Sequence, residues 1–175
     1  DTRTREDDLR LNKYLWTHKH NTPFEMIETW WEMKLPVFVA RQLVRHRTVS
    51  LNEVSRRYVD DEVELYVPAE WRGRAEYKKQ GSNGVVFTHS FAYDHSLRVV
   101  KRVYETLLEL GVAPEQARIV LPQSMYTRWL WKQDLRNVLH MLSLRMAADA
   151  QWETRQYAFA MFGLLQRELP ELMEA

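Results

Sequence analysis

The 175-residue chain contains no cysteine. That excludes a disulfide framework, a cysteine-liganded zinc site and a cysteine nucleophile, and it fits a reducing cytoplasm. Glycine is scarce, five in all. Neither a Gly-x-Gly-x-x-Gly turn nor a P-loop can be found, so any nucleotide must be held mainly by side chains. No apolar run approaches the roughly 18 residues of a membrane span, and no secretory h-region is visible. Charge of one sign is also lacking: the formal net charge is +1, far from the strongly basic balance of a nucleic-acid-coating protein. There is no His-Glu-x-x-His for metal catalysis and no Gly-x-Ser-x-Gly elbow for a serine nucleophile.

What is present is a globular composition, 45% hydrophobic and 12% aromatic, in a length that suits one domain with a buried core. The basic residues are skewed, 18 Arg against 7 Lys. Arginine offers a planar fork of donors matched to phosphate and carboxylate oxygens, so the bias favours specific anion recognition. It is concentrated in Arg45-His46-Arg47-Thr48-Val49-Ser50-Leu51-Asn52-Glu53-Val54-Ser55-Arg56-Arg57-Tyr58. Four guanidinium groups beside one carboxylate suggest a pocket that neutralises an anion while orienting a polar ring. The plainer reading is a solvated turn with local ion pairs, which contribute little.

Along the chain, Glu6 to Trp16 has an amphipathic helical pattern. Thr22, Pro23 and Glu25 read as a capping box with proline at the first helical position. His18 and His20 lack a nearby third ligand and make no metal site on spacing alone. Met26 to Lys34 is predicted as a strand, and Pro36 opens a helix running into the arginine stretch. Ser50-x-x-Glu53 is a second capping-box candidate. Val63 to Val67 alternates as a strand, and Glu70 to Gly84 reads as an exposed loop. A long helix is predicted over Val85 to Leu110, stopped by Gly111, and a shorter one from Pro114 through Leu121. Gln123 to Lys132 alternates as a strand. Asp134 is placed to cap a helix over Leu135 to Arg145, and a last helix spans Ala148 to Leu169. The order predicts a single-domain mixed α/β fold of the α+β type, a central mixed or antiparallel sheet flanked by helices.

A second basic set, Arg118, Arg136 and Arg145, lies in apolar or aromatic surroundings, where a charge requires a partner. Arg136 and His140 are four apart and share a helix face, with Arg145 less closely aligned. His140 reads equally as an ordinary core or surface histidine. Ser50 and Ser55 flank Glu53, but no base adjoins them.

Arg45-His46-Arg47 followed after seven residues by Ser55 resembles the signature of the flavin-dependent thymidylate synthases. The likeness extends, in order, from about residue 14 to 168. It includes Thr22-Pro23-Phe24-Glu25, Arg41-Gln42, Asn52-Glu53, Arg57-Tyr58 and Ala117-Arg118-Ile119-Val120-Leu121-Pro122. It continues through Tyr126-Thr127, Leu142-Ser143-Leu144-Arg145 and Ala150-Gln151-Trp152-Glu153. The resemblance implies conversion of dUMP to dTMP, with methylenetetrahydrofolate as carbon donor, FAD as mediator and NADPH as reductant. It implies a homotetramer with sites shared between subunits, while the composition and motifs give the expectation of a cytoplasmic protein with no nucleic-acid, membrane or metal partner. By position, Arg145 matches the arginine that promotes ionisation of the uracil ring. Gln42, Arg45, Glu53, Ser55, Arg56, Arg57, Arg118 and Arg145 match dUMP-binding positions. His20, Thr22, Arg45, His46, Arg47, Glu53, Asp134, Arg136 and His140 match flavin-contacting positions. Against the family pattern, an N-terminal segment with a strand is missing ahead of the first helix, and Asp134 stands where some members have asparagine. The remaining expectations are an inactive flavin- or nucleotide-binding relative and a flavoenzyme that methylates another pyrimidine.

Overall fold

The computed structural model describes residues 3–58, 62–76 and 81–174. Helices and strands are mixed along the chain, as the element order predicts. The chain forms two compact units, one of Asp1–Thr29 with Lys132–Ala175 and the other of Trp30–Trp131.

The first unit is helical. Helix α1 (Arg5–Thr17) starts at a reciprocal capping box: Thr4 Oγ1 accepts from the Asp7 N–H at 3.2 Å, and the Asp7 carboxylate accepts from the Thr4 N–H at 3.1 Å. The Thr4 N–H and, at 2.8 Å, the Thr4 hydroxyl both donate to the Asp7 carboxylate and hold it below its usual pKa, the backbone bond foremost. A single turn, α2 (Thr22–Glu25), follows, with Asn21 in the capping position. Helices α6 (Leu135–Arg145), α7 (Trp152–Glu168) and α8 (Pro170–Met173) complete the unit. Among the described residues its buried apolar side chains are Phe24, Leu135, Val138, Met141, Leu142, Ala158, Met161 and Leu165, with Gln133 and Thr154 buried beside them. Those on α6 and α7 recur every three or four residues, the spacing that lines one helical face.

In the second unit Pro36, with φ fixed near −65°, caps α3 (Val37–Leu43). The first two amides of α3 have no partner within their own turn. They donate instead to the carbonyls of Met125 and Gln123, at 2.9 and 3.0 Å. Helix α4 (Phe91–Glu109) begins where Ser90 Oγ accepts from the Tyr93 N–H at 3.2 Å. It ends at Gly111, whose φ of +82° suits a residue without Cβ. A turn of α-helix, α5 (Pro114–Ala117), then tightens into a 3₁₀ turn over Arg118–Val120. Val63, Tyr104 and Ala117 form a buried cluster, with Leu65, Leu107 and Met125 packed on it.

Strands β1 (Glu28–Pro36), β5 (Tyr126–Asp134) and β2 (Val49–Glu53) form a sheet in the order β1-β5-β2. In β5 the residues Thr127, Trp129, Trp131 and Gln133 are buried, while Arg128 and Leu130 are exposed. That period of two, in a run that carries Tyr126, Thr127, Trp129 and Trp131, is why this segment is extended.

Several elements differ from the sequence prediction. Ser50 and Glu53 lie in β2, so they form no capping box; flanking Val49, Leu51 and Val54 suit extended backbone better. Thr22 is the first helical residue of α2 and not its cap. Val63–Val67 reduces to one bridge, Leu65 opposite Met125, with backbone bonds from Tyr66 to Ser124 and from Tyr126 to Glu64. The polar stretch expected as a loop is an antiparallel ribbon of β3 (Trp71–Arg74) and β4 (Ser82–Phe87); residues 77–80 lie outside the described residues. Val85, Val86 and Phe87 therefore belong to β4, and α4 starts six residues later than expected. Trp71 anchors the ribbon by stacking on Phe87 at 5.7 Å and meeting Tyr93 edge-on at 5.0 Å.

Candidate functional site

The residues singled out from the sequence fall into two groups, one in each unit. In Trp30–Trp131, α3 delivers half-buried Gln42 and ends at Val44, after which Arg45 and Arg47 are exposed and His46 is half-buried. The chain then bends at Thr48, whose φ is +67°. A β-branched residue in the left-handed region is a steric outlier, held only where its surroundings over-determine it. The Thr48 hydroxyl donates to the Arg47 carbonyl within this turn. Two arginines are thus displayed on a tight, strained hook.

Beyond the hook, β2 is an edge strand with four of its five residues exposed. Its last residue, Glu53, accepts a hydrogen bond of 2.6 Å from Thr127 Oγ1 on β5. The next amide, Val54 N–H, donates to the Arg128 carbonyl at 2.9 Å, which fixes the alignment of the two side chains. The chain then turns. Ser55 Oγ accepts from the Arg57 N–H at 3.3 Å, and Tyr58 N–H donates to the Ser55 carbonyl. No imidazole or carboxylate bonds the Ser55 hydroxyl among the described residues, so nothing there takes its proton as a nucleophile requires. Its hydroxyl proton remains available to an anionic oxygen.

Arg56 reaches the Glu62 carbonyl at 3.3 Å. Arg57 pairs with Glu115 at 3.2 Å and lies 5.3 Å from the ring of Tyr58. Arg118, expected among apolar neighbours, is exposed, and its Nε donates to the Glu115 carbonyl at 3.3 Å. Glu115 therefore brings Arg57 and Arg118 together although they are 61 positions apart in the sequence. Sequence reasoning missed Glu115 and Thr127; a hydroxyl on the buried row of an alternating strand was the available signal for Thr127. Nearby, the Lys34 ammonium bonds Glu64 and holds that carboxyl below its usual pKa, while burial raises the Tyr126 phenol.

In the other unit His20 is exposed, and its ring lies 6.0 Å from that of Tyr14, which stacks on His18 at 4.1 Å. Thr22 is exposed at the start of α2. Asp134 caps α6: one carboxylate oxygen accepts from the Asn137 N–H at 3.0 Å, the other from the Asn137 side-chain amide at 2.7 Å. Arg136 donates to Asn137 Oδ1 at 2.9 Å, so Asp134, Asn137 and Arg136 form one chain of bonds. At about 100° per residue, Arg136 and His140 lie about 40° apart around α6. Arg145, half-buried, ends the helix about 140° round from His140, where the carbonyl-rich terminus favours a cation. An apolar cavity of about 250 Å³ in this unit, bounded by Trp16, Phe24, Leu139, Met146, Phe162 and Leu172, is lined by none of the predicted site residues.

Among the described residues no group of three or more His, Cys, Asp or Glu side chains is placed to hold a metal. No described helix is long and apolar enough to cross a membrane. The donor set is instead one of guanidinium forks, imidazoles and hydroxyls around a few acceptors, chemistry that suits phosphates and the polar edge of a heterocycle.

Comparison with known proteins bears on the family. A family model described as thymidylate synthase complementing protein, Thy1, matches residues 1–171. A flavin-dependent thymidylate synthase of Thermus thermophilus is 43% identical over 176 residues, covering 97% of this chain and 63% of the relative. Its counterpart from Kosmotoga olearia is 40% identical over 179 residues, covering 98% and 77%. Among solved structures, the UMP/dUMP methylase PolB from Streptomyces cacaoi bound with 5-Br dUMP superimposes with a TM-score of 0.86. Its sequence identity is 29%, over 99% of this chain and 80% of that one. The chain thus spans a little under two thirds of the length of the Thermus relative. With a family model matched over nearly its whole length and a relative 40% identical, the chain belongs to the Thy1 family of thymidylate synthase complementing proteins.

Proposed function

We propose that the chain is the core of a flavin-dependent thymidylate synthase that methylates dUMP at C5, with methylenetetrahydrofolate as carbon donor and NADPH as reductant. The observation that carries the reading is the Arg45-His46-Arg47…Ser55 signature folded as a strained hook running into an exposed edge strand, with Glu53 pinned and no cysteine in the chain. Without a thiol, the uracil ring is not activated by covalent attack from cysteine; its surroundings must polarise it. Bound FAD, reduced by NADPH, supplies the hydride.

In this reading Arg57, Arg118 and Arg45 neutralise the nucleotide phosphate, and Ser55 donates its hydroxyl proton to it. Gln42 and Glu53 take up donors and acceptors of the sugar and base, and Arg56 lies alongside. Arg145 stands by the pyrimidine and stabilises the negative charge that develops on the ring, an interaction strongest where water is excluded. His20, Thr22, His46, Arg47, Arg136 and His140 hold the flavin, Arg45 and Glu53 being shared by both ligands. Asp134 acts there through Asn137 and Arg136, which its carboxylate orients. The active form is a cytoplasmic homotetramer in which subunits share sites.

The test is tritium release from dUMP labelled at C5, with FAD, NADPH and methylenetetrahydrofolate withheld one at a time. Release that requires FAD and NADPH, with dTMP formed when folate is present, supports the reading. No release while FAD and dUMP still bind makes the chain an inactive binding relative. The similarity to a methylase named for both UMP and dUMP favours one second reading, a broader pyrimidine nucleotide substrate. Labelled UMP run in parallel distinguishes it.

A further inference from the structure

We propose that Thr127 is a positioning residue, whose buried hydroxyl holds one oxygen of Glu53 so that the other is presented to an N–H or O–H donor of the bound nucleotide. The inference rests on the reading of Glu53 as a ligand-binding residue and adds a residue to which that reading gives no role.

Thr127 is 9% exposed, on the inward row of β5 with Trp129, Trp131 and Gln133. Its side chain is β-branched, so few χ1 rotamers are open to it and the direction of its hydroxyl is set by the strand. The 2.6 Å separation from Glu53 Oε1 is that of a hydroxyl donating to an ionised carboxylate, a short and strong bond. The neighbouring backbone bond from Val54 to Arg128 holds the two strands in register at this point. Glu53, in contrast, is exposed at the end of an edge strand. Without a partner its three-torsion side chain would sample many rotamers and lose that freedom on binding. The Thr127 bond removes part of the loss beforehand, which is preorganisation. An ionised carboxylate only accepts hydrogen bonds, so the second oxygen selects a donor on the ligand. The sugar hydroxyl and the ring N–H of dUMP are both of that kind.

The experiment measures dUMP binding by isothermal titration calorimetry and melting by circular dichroism for the unmodified chain, Thr127→Val, Thr127→Ser, Glu53→Gln and the Thr127→Val/Glu53→Gln double variant. Thr127→Val keeps the shape and removes the donor. It should weaken dUMP about tenfold, the scale of one hydrogen bond to a charged group, with a melting temperature close to that of the unmodified chain. Thr127→Ser restores the hydroxyl and should bind within about threefold of the unmodified chain. In the double variant the Thr127→Val loss should largely disappear, because residues that act as a unit are non-additive. Binding by Thr127→Val within twofold of the unmodified chain, or an equal loss in Thr127→Ser, overturns the positioning role. Should Thr127→Val fail to melt cooperatively, Thr127→Ala takes its place with the same two outcomes. If the unmodified chain binds no dUMP, the functional reading itself falls, and this proposal with it.

Discussion

Replacing Asp134 separates two explanations of a residue that both the capping pattern and the family resemblance single out. Its carboxylate is committed on both oxygens to Asn137, one bond to the backbone N–H and one to the side-chain amide. Removing an N-cap side chain costs about 1 kcal/mol, within a range of roughly 0.5–2. For a chain of this size each kcal/mol moves Tm by about 2–4 °C. Asp134→Ala should therefore lower Tm by about 3 °C. Asn keeps one acceptor, for the Asn137 N–H, but loses the favourable charge at the helix N-terminus, worth about 0.3–1 kcal/mol, and the second oxygen that accepts from the Asn137 side-chain amide. Asp134→Asn should accordingly lower Tm by about 2 °C. Because Asn137 also accepts from Arg136, and both variants lose the acceptor that orients the Asn137 side chain, both should weaken FAD binding through a loosened Arg136. Thermal scans by circular dichroism and FAD titration by fluorescence quenching give both numbers. An unchanged Tm in Asp134→Ala with FAD binding still weakened would refute the capping account and make the carboxylate a direct flavin contact.

Other perturbations test other parts of the molecule. Arg145→Ala should abolish turnover and leave flavin bound, read from steady-state rates and from protein-bound flavin absorbance; retained activity removes Arg145 from the mechanism. Ser55→Ala should raise the KM for dUMP and leave kcat within about threefold at saturation; a kcat that saturating dUMP does not recover returns a covalent role to Ser55. Gly111→Ala forces a Cβ into φ +82° and should cost about 1–2 kcal/mol in urea unfolding, although no atom lies within 4 Å of the added carbon. The phenol of Tyr126 is raised by burial, so folding favours its protonated form. Its contribution is complete below the unfolded pKa of about 10 and is lost as pH rises through the higher folded value. Absorbance at 295 nm should show one tyrosine ionising later than the exposed ones, and Tyr126→Phe should remove that phase.

The parts of the fold that were legible in the sequence are those governed by short-range rules. Alternation located β5, and the Asp134 cap and the Gly111 stop marked helix ends to within a residue. The same rules failed where two structures share a signature. Ser50-x-x-Glu53 has the residues of a capping box, yet Val49, Leu51 and Val54 favoured a strand once β5 was there to pair with it. Val85-Val86-Phe87 lies just ahead of a helix and reads as part of it, although its apolar run has no helical period and Gly84 precedes it. The arginine-rich segment stood out by composition. The contacts that organise it did not: Thr127 is 74 residues from Glu53 and Glu115 is 58 from Arg57, beyond the reach of any local pattern. The left-handed Thr48 was equally invisible, since a β-branched residue is the least expected at positive φ.

The exposure of β2 bears on how this protein tolerates change. With four of five side chains outside the core, substitutions there leave little apolar surface unburied and create no cavity. A library of β2 variants sorted by melting temperature should therefore look nearly neutral. Sorted by nucleotide binding, the same library should be sharply depleted at Glu53. In most folded regions stability and function are filtered together; on this strand the two filters act almost independently. Drift can therefore silence the site while the protein remains well folded.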